Sequence, residues 1–441
     1  MSLPLHRRDL LKASAAFAAF NILPAGAYSA SPNGKLRTIH IGVGGMGGAD
    51  LRSVSSHANV EVAALCDIDS NRLASAKALH TKAETFSDYR AMIAELGDKI
   101  DAVVVSTPDH THAPAAMTAL QNNKPVYCQK PLTHEVFEAR QLRKVAEQKK
   151  LVSQMGIQVH SSVTYRRAVN LIQSGVIGKV SQVHAWSNKN WGYDGGPYQG
   201  EHKVPDNLDW NLWIGTRQMR PFVPGVYHPG QWRKTVDFGT GTLGDMGVHI
   251  FDTPYAALAL TAPKWAKTSC RKPTGIGHPG KNIVQYEFPG TKFTTDSMIW
   301  TWYDGGFAPP KSEDIDLPEG VKLPNQGALF VGEAGLMLLP HVGEAQLFTK
   351  EGKKREYQPE ALADVNHYHQ WVDACMGKGE TSASFSYAGP LTEALLLGVV
   401  ANRFPDQKLM WNADKLEVTN MAAANQLLRI EYRDGFKVKG L

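Results

Sequence analysis

The sequence predicts an α/β protein with an N-terminal Rossmann domain, built on a doubly wound parallel sheet, and a C-terminal α+β domain with a large, open, mostly antiparallel sheet. Three observations predict this architecture. Strand-like and helix-like segments alternate over residues 35–155, which is typical of consecutive βαβ units. A glycine-rich turn follows the first strand and opens a helix. After Gly156 longer strand-like segments follow one another, which indicates antiparallel pairing.

The N-terminal domain is assigned to residues 35–155 from the order of its elements. Short β-rich runs predict buried strands, and apolar residues at helical spacing predict helices. The predicted strands cover residues 36–43, 60–66, 102–105, 125–128 and 151–155. The predicted helices cover residues 49–56, 71–79, 89–96, 113–121 and 136–149. Because ligands bind at the carboxyl ends of the strands in such a sheet, we expect the functional residues to follow the strands.

The second domain is assigned to residues 156–441 and is expected to bind the substrate. Its predicted helices cover residues 162–174, 364–375 and 391–402. Its predicted strands cover residues 180–189, 282–288, 291–303, 328–331 and 336–339. The segment 191–229 is rich in Gly, Pro and Trp without periodicity, and a loop this long usually carries function. An open sheet exposes one face, so we expect a homo-oligomer that covers it.

Composition and charge exclude several classes of protein. The 441 residues are 43% hydrophobic and 20% charged, which suits two domains that each bury a core. The net charge is +5, of which Arg7, Arg8 and Lys12 less Asp9 contribute +2, so the remainder carries only +3. No blocks of Lys and Arg are interleaved with aromatic residues, so we expect no nucleic-acid partner. We also expect no membrane span after the amino-terminal segment.

The cysteines give no indication of a metal site. Cys66, Cys128, Cys270 and Cys375 are widely spaced, with no Cys-x-x-Cys pair and no cluster with histidine. We therefore predict free, packed thiols and no metal.

The amino terminus resembles a twin-arginine export signal. Arg7 and Arg8 precede a small, apolar run at 13–23 and then Ala25-Gly26-Ala27. This run is shorter than the roughly 20 residues that span a bilayer. We predict that residues 1–30 are a signal peptide and linker, cleaved after Ala27, and that the protein is periplasmic or secreted. The alternative is an uncleaved helix on a cytosolic protein.

A dinucleotide site is predicted at the first strand. The run from Gly42 to Gly47 reads Gly-Val-Gly-Gly-Met-Gly, which fits the Rossmann motif G-x-G-x-x-G. Asp67 ends the second strand and can accept hydrogen bonds from ribose hydroxyls, whereas it would repel a 2′-phosphate. This favours NAD over NADP. The motif residues predicted to bind the cofactor are Gly42, Gly44, Met46, Gly47 and Asp67.

Three further motifs extend this reading to most of the chain. Residues 106–112 read Ser-Thr-Pro-Asp-His-Thr-His, residues 128–132 read Cys-Gln-Lys-Pro-Leu, and residues 244–252 read Gly-Asp-Met-Gly-Val-His-Ile-Phe-Asp. With the glycine motif, their order and spacing resemble the glucose-fructose oxidoreductase, inositol dehydrogenase and rhizopine-catabolism (Gfo/Idh/MocA) family from residue 36 onward, and a secreted, twin-arginine branch of it. The family usually has Glu before the lysine, where this chain has Gln129.

The resemblance implies the residues that carry the chemistry. Lys130 and His249 are the implied acid and base for hydride transfer from a sugar carbon. Asp245 lies four residues before His249, so on a helix its carboxylate could orient the imidazole. The implied cofactor contacts beyond the glycine turn are Thr107, Pro108, His112, Gln129 and Lys130.

The candidates for substrate contact are aromatic and polar residues of the second domain. Aromatic faces stack on sugar rings, and Arg or Asn side chains bind hydroxyl groups, although such residues are equally often part of a core. The candidates are Tyr165, Arg166, Asn188, Trp191, Tyr227, Trp232 and Arg233.

The function predicted from these residues is an NAD-dependent oxidoreductase that acts on a sugar or glycoside hydroxyl with tightly bound NAD. Outside the cytoplasm no pool of NAD exists to exchange with, so the hydride must return within the same site. Coupled oxidation and reduction of two sugars satisfies this requirement. So does redox-neutral glycoside hydrolysis, in which oxidation, elimination and hydration precede re-reduction. The remaining alternatives are a non-catalytic NAD-binding protein and, for an uncleaved leader, a cytosolic dehydrogenase.

Overall fold

The computed structural model describes residues 34–310, 315, 317–318 and 320–441. The predicted signal segment at 1–30 lies outside these described residues. Within them, no helix is long and apolar enough to cross a membrane.

The N-terminal domain is a six-stranded, all-parallel sheet with the strand order β3-β2-β1-β4-β5-β6, which is the Rossmann order. Its strands are β1 Leu36–Ile41, β2 Val60–Cys66, β3 Glu84–Phe86, β4 Ala102–Val105, β5 Val126–Gln129 and β6 Ser153–Gly156. Its helices are α1 Met46–Ser55, α2 Ser70–Leu79, α3 Tyr89–Leu96, α4 Asp109–Gln121 and α5 Val136–Lys149. The order of the strands changes direction between β1 and β4, the switch point at which a crevice for a ligand opens in such sheets.

The second domain is built on a ten-stranded sheet in which only β7 and β10 pair in parallel, so the predicted mostly antiparallel sheet is confirmed. The helices are α6 Val163–Gln173, α7 Trp210–Ile214, α8 Val248–Ala257, α9 His367–Cys375, α10 Phe385–Ala401 and α11 Ala422–Asn425. The longer strands are β7 Val180–Ser187, β8 Trp265–Cys270, β9 Asn282–Pro289, β10 Thr294–Asp304, β11 Gln326–Gly332 and β12 Gly335–Pro340. The remaining strands are β13 Gln346–Phe348, β14 Lys354–Arg355, β15 Lys408–Asn412 and β16 Glu417–Val418.

The long helix α10 joins the two domains. It is buried along most of its length. The Arg140 side chain of α5 donates to Glu393 of α10 at 2.6 Å, and Tyr286 of β9 donates its hydroxyl to the Leu395 carbonyl at 3.0 Å. A helix bonded in this way to α5 of the first domain and to β9 of the second connects the two domains.

Several elements differ from their predicted bounds. Helix α4 begins at Asp109, four residues before the expected start at 113, because its first turn carries an acidic residue that suits a helix N-terminus. Helix α10 begins at Phe385, ahead of the expected start at 391, and contains Pro390. The short strands β3, β13, β14 and β16 have only two or three residues each, too few to show a period of two.

The outer face of the second sheet is partly covered by the chain itself. Side chains of β7, β11 and β12, among them Leu329 and Leu338, are fully buried. Ile315, Leu317 and Val321 pack against them. The exposed face on which the homo-oligomer prediction rested is therefore smaller than expected, and the oligomeric state stays a prediction.

Candidate active site

A cleft between the two domains opens at the carboxyl ends of β1, β2 and β4, with a cavity of about 220 Å³. From the Rossmann domain it is lined by residues that include Gly42, Gly44, Met46, Gly47, Asp67, Arg72, Thr107 and Pro108. From the second domain it is lined by residues that include Trp213, His228, Trp232 and Arg233. Most of the predicted cofactor residues thus meet on one surface.

Two glycines of the turn, Gly42 and Gly47, have no room for a side chain. Gly42 has φ +83°, and a Cβ there would lie 2.4 Å from the Ser106 carbonyl oxygen. A Cβ on Gly47 would lie 2.1 Å from the Gly42 carbonyl oxygen. The backbone therefore approaches the cleft closely, and α1 begins at Met46 with its amino terminus at the same place. Such a cradle fits the pyrophosphate of a dinucleotide.

The carboxylate of Asp67 braces this turn. It accepts hydrogen bonds from the backbone amides of Val43 at 2.9 Å and Asp69 at 3.0 Å. Burial raises the pKa of Asp67, and these two amide donors oppose that shift. Each oxygen keeps a further lone pair, so the group can also accept a ribose hydroxyl.

A loop of the second domain is bonded across the cleft to the turn after β2. Asp69 accepts from the Asn207 side-chain amide at 2.8 Å and lies 3.0 Å from His228 Nε2. The backbone amide of Ser70 donates to the Asn207 carbonyl at 2.9 Å, and that of Asp209 donates to the Ile68 carbonyl at 3.0 Å. Hydrogen bonds from both backbones and side chains thus close this side of the cavity.

A buried ion pair also anchors this loop to the Rossmann domain. Arg217 pairs with Glu135 at 2.9 Å, and both side chains are about 5% exposed. Although burial opposes ionisation, Arg217 and His134 hold the pKa of Glu135 well below its usual range. Burial and the charge of Glu135 raise the pKa of Glu138, to which the Tyr432 hydroxyl donates. The loop, the first turn of α5 and the carboxyl-terminal segment therefore form one buried network.

Lys130 follows β5 and forms an ion pair with Asp245. Its Nζ lies 2.9 Å from Asp245 Oδ1 and 2.9 Å from the Asp245 carbonyl oxygen. Arg233 Nε donates to the same carboxylate oxygen at 3.1 Å. Although burial opposes ionisation, Lys130 and Arg233 hold the pKa of Asp245 well below its usual range. Arg233 lines the cavity, whereas Lys130 and Asp245 do not, so the cluster adjoins the cavity through Arg233.

His249 is close to this cluster but does not bind Asp245. Its Nδ1 is buried without a hydrogen-bond partner among the described residues. Burial and then the charge of Lys130 lower the pKa of His249 well below its usual range, so the imidazole is neutral at pH 7. The prediction that Asp245 orients His249 is wrong. The carboxylate instead accepts hydrogen bonds from Lys130 and Arg233, two charged donors that bind it more strongly than an imidazole does.

A second histidine, which sequence reasoning missed, lies beside His249. His341 follows β12, and its ring centroid is 5.8 Å from that of His249. Its Nδ1 is 2.6 Å from the hydroxyl oxygen of Tyr165 on α6. No local pattern marks His341, since it is a single histidine after a strand of the second sheet.

Two residues predicted to contact the cofactor lie behind the cavity wall. His112 is 1% exposed, and its ring nitrogens lie 2.8 Å from the carbonyl oxygens of Thr107 and Pro131. Gln129 is 4% exposed and points at Asp50. Lys130 does not line the cavity either, and the contact of these three residues with the cofactor stays a prediction.

The substrate candidates fall into two groups: those at or near the cavity and the ion-pair cluster, and those away from them. Trp191 lies near the cluster, since its amide donates to Thr242 Oγ1 at 2.7 Å and the Arg233 guanidinium lies 5.4 Å from its ring centroid. Tyr165 reaches the site through His341, and Trp232 and Arg233 line the cavity. The other candidates are Tyr227, packed among buried aromatic rings, Arg166, bonded to the Ala363 carbonyl, and the exposed Asn188.

Comparison with known protein families matches two adjoining segments between residues 36 and 259. Residues 36–157 match the Gfo/Idh/MocA description "Oxidoreductase family, NAD-binding Rossmann fold". Residues 161–259 match the companion description "Oxidoreductase family, C-terminal alpha/beta domain". An inositol 2-dehydrogenase of Rubrobacter xylanophilus is 32% identical over 149 residues, which is 33% of this chain and 42% of that protein. The aligned part thus spans less than half the length of the curated relatives.

Solved structures share the fold at low identity. The WlbA dehydrogenase of Bordetella pertussis, solved with NADH and UDP-GlcNAcA, has a TM-score of 0.61 at 14% identity, covering 86% of this chain and 100% of that one. The aldose-aldose oxidoreductase of Caulobacter crescentus has a TM-score of 0.57 at 14% identity, covering 86% and 100%. With the two adjoining family matches and the glycine cradle, the chain belongs to the Gfo/Idh/MocA oxidoreductase family.

Proposed function

We propose that the protein is an NAD-dependent oxidoreductase that acts on a hydroxyl group of a sugar or glycoside and retains its cofactor. The observation that carries this proposal is the ion pair of Lys130 with Asp245, which Arg233 connects to a cleft that begins with the glycine turn. The known relatives named above act on inositol or aldoses, which supports a polyhydroxylated substrate.

The residues of the site divide the acid-base work. When bound, NAD accepts a hydride from the substrate carbon. The neutral imidazole of His249 can take the proton of the substrate hydroxyl. The Lys130 ammonium can donate to the same oxygen and stabilise its developing negative charge, while Asp245 holds the ammonium in place at 2.9 Å.

NAD is favoured over NADP by the charges after β2. Asp67 and Asp69 follow the strand whose end binds the ribose in Rossmann domains. Two carboxylates at this place favour the neutral 2′-hydroxyl of NAD over a 2′-phosphate. Arg72 also lines the cavity, but its side chain lies 3.5 Å from Asp69, with which it pairs.

Retention of the cofactor is supported by the loop that crosses the cleft. A dinucleotide under this loop can leave only if the contacts of Asp69 with His228 and Asn207 open. A retained cofactor also suits the predicted twin-arginine export, which carries folded protein to the periplasm or the medium. We therefore propose that the protein is periplasmic or secreted. We also propose that it is a homo-oligomer.

Redox-neutral glycoside hydrolysis is the second candidate. Elimination requires another proton transfer beside the one at the oxidised oxygen. The imidazole of His341, 5.8 Å from that of His249, can donate a hydrogen bond to the oxygen of the leaving group. Coupled oxidoreduction of two sugars requires only Lys130, Asp245 and His249.

The experiment that tests the proposal uses protein purified without added cofactor. Bound NAD is extracted and measured, and the protein is incubated with α- and β-nitrophenyl glycosides and with free sugars, without NAD. Release of nitrophenol that is lost in Lys130→Ala supports hydrolysis, and NADH absorbance with a free sugar supports the oxidoreductase. Lys144→Ala, at an exposed position on α5, is the matched control. Absence of bound dinucleotide would contradict retention, and no reaction with any compound would contradict the activity.

A further inference from the structure

His341 forms a second imidazole centre in the candidate active site. It lies directly after β12, and its backbone amide donates to the Gln326 carbonyl at 2.9 Å, so it is anchored to the sheet. Its ring is half-buried and 5.8 Å from the ring of His249. Val342, the next residue, has φ +60°, a conformation that is rare for a β-branched residue. Such local strain is concentrated at functional sites.

The hydrogen bonds around Tyr165 favour one tautomer of His341. The backbone amide of Val342 is hydrogen-bonded to the Tyr165 hydroxyl oxygen, which leaves the phenol hydrogen for another partner. His341 Nδ1 lies 2.6 Å from that oxygen, within reach of this hydrogen, which favours Nδ1 as the acceptor. Burial raises the pKa of Tyr165, so the phenol keeps its proton as a donor.

The imidazole that results is a neutral hydrogen-bond donor. Burial and then the charges of Lys189 and Lys130 lower the pKa of His341. A neutral imidazole that accepts at Nδ1 carries its single hydrogen on Nε2. His341 therefore presents an N–H to its surroundings, whereas His249 is the group available to take a proton.

We propose that His341 binds a second oxygen of the substrate through its Nε2–H, and that Tyr165 is the residue that positions it. This inference rests on the proposed function, in which the oxygen that loses its proton to His249 takes its stabilising donor from Lys130. The Nε2–H of His341 is then available to bind a neighbouring oxygen of the same substrate molecule. The preferred substrate class is a polyol or glycoside with two adjacent oxygen substituents, and His341 determines that preference.

The tautomer can be measured without turnover. In full-length protein labelled with ¹⁵N-histidine, two-bond proton-nitrogen correlations distinguish a protonated from an unprotonated ring nitrogen. His341, assigned by loss of its signals in His341→Ala, is expected to have a bare Nδ1 and a protonated Nε2. Tyr165→Phe should shift the Nδ1 signal. Tyr357→Phe removes a hydroxyl that donates to the Ala345 carbonyl at 3.0 Å and should leave the signal unchanged. A protonated Nδ1, or no effect of Tyr165→Phe, would overturn the assignment.

The substrate contact is tested by kinetics on the most active sugar of the panel and its deoxy form lacking the neighbouring hydroxyl. Loss of one hydrogen bond predicts that the wild type prefers the parent sugar by about 10-fold to 100-fold. His341→Ala should lose most of this preference, and His341→Asn, which keeps an N–H donor, should restore part of it. An unchanged preference in His341→Ala, with Lys130→Ala inactive, would overturn the inference but leave the function standing. Turnover by Lys130→Ala would instead contradict the proposed catalytic cluster.

Discussion

The side-chain amide of Gln129 donates to both carboxylate oxygens of Asp50, at 3.0 and 2.9 Å. Asp50 lies on α1 and is fully buried, and it also accepts from the hydroxyls of Ser106 at 2.6 Å and Tyr368 at 3.0 Å. Chains that resemble this one usually have glutamate before the active-site lysine. Here the side chain before Lys130 donates to a buried carboxylate, which an amide can do and an ionised glutamate cannot.

An exchange of the two groups tests this relationship. Gln129→Glu alone places a second carboxyl group next to Asp50 in a buried site. This variant is expected to lower the free energy of unfolding by about 1–3 kcal/mol. The double variant with Asp50→Asn restores one amide and one carboxylate and should recover most of that loss. Urea denaturation of the wild type, both single variants and the double variant measures the coupling. Equal stability of Gln129→Glu and the double variant would contradict the exchange.

The pH dependence of stability follows from the same carboxyl group. Burial raises the pKa of Asp50 from 3.8 to about 6, against hydrogen bonds that lower it. The folded protein therefore binds this proton more tightly than the unfolded chain, so the contribution of Asp50 to stability falls as the pH rises from about 4 to 6. The change from 3.8 to about 6 corresponds to roughly 3 kcal/mol. Asp50→Asn lacks this proton-binding group, so the difference in the free energy of unfolding between wild type and variant should change across this pH range, and a difference that is independent of pH would contradict the prediction.

The ion pair of Lys130 and Asp245 predicts a catalytic loss without loss of the cofactor. Asp245→Asn leaves Lys130 and Arg233 without their shared carboxylate and is expected to lower kcat by about 10²-fold to 10⁴-fold. The contacts of the glycine turn are unaffected, so the NAD content should stay at the wild-type level. Asp237→Asn, which removes a carboxylate paired with Arg220 at 2.6 Å, is the control. Wild-type kcat in Asp245→Asn would exclude the pair from the chemistry.

The sequence predicts the parts of the site that local geometry determines. The glycine turn and Asp67 lie in one βαβ unit, so a short sequence motif is enough to predict how they are arranged. The partners of Asp245 could not be predicted, because Lys130 and Arg233 come from separate segments that only the folded chain brings to one oxygen. His341 reaches His249 only through the order of strands in the second sheet, which its residues alone do not reveal.

The contact of His228 with Asp69 predicts how fast the cofactor leaves. Because the contact, at 3.0 Å, ties the loop of the second domain to the turn after β2, His228→Ala should free one edge of the closed cleft. Loss of one hydrogen bond to a charged group corresponds to about a tenfold faster release of NAD. The core of the loop stays attached through Arg217 and Glu135, so the unfolding temperature should change little.

Dialysis of the purified protein, with NAD measured after denaturation at successive times, gives the release rate. His202→Ala is the matched control, since this histidine lies on the same loop but is exposed and should leave the rate unchanged. Equal rates in wild type, His202→Ala and His228→Ala would show that the contact does not restrain the cofactor. A faster rate in His228→Ala alone would identify the contact with Asp69 as the point at which the cleft opens, because the two histidines differ in that bond.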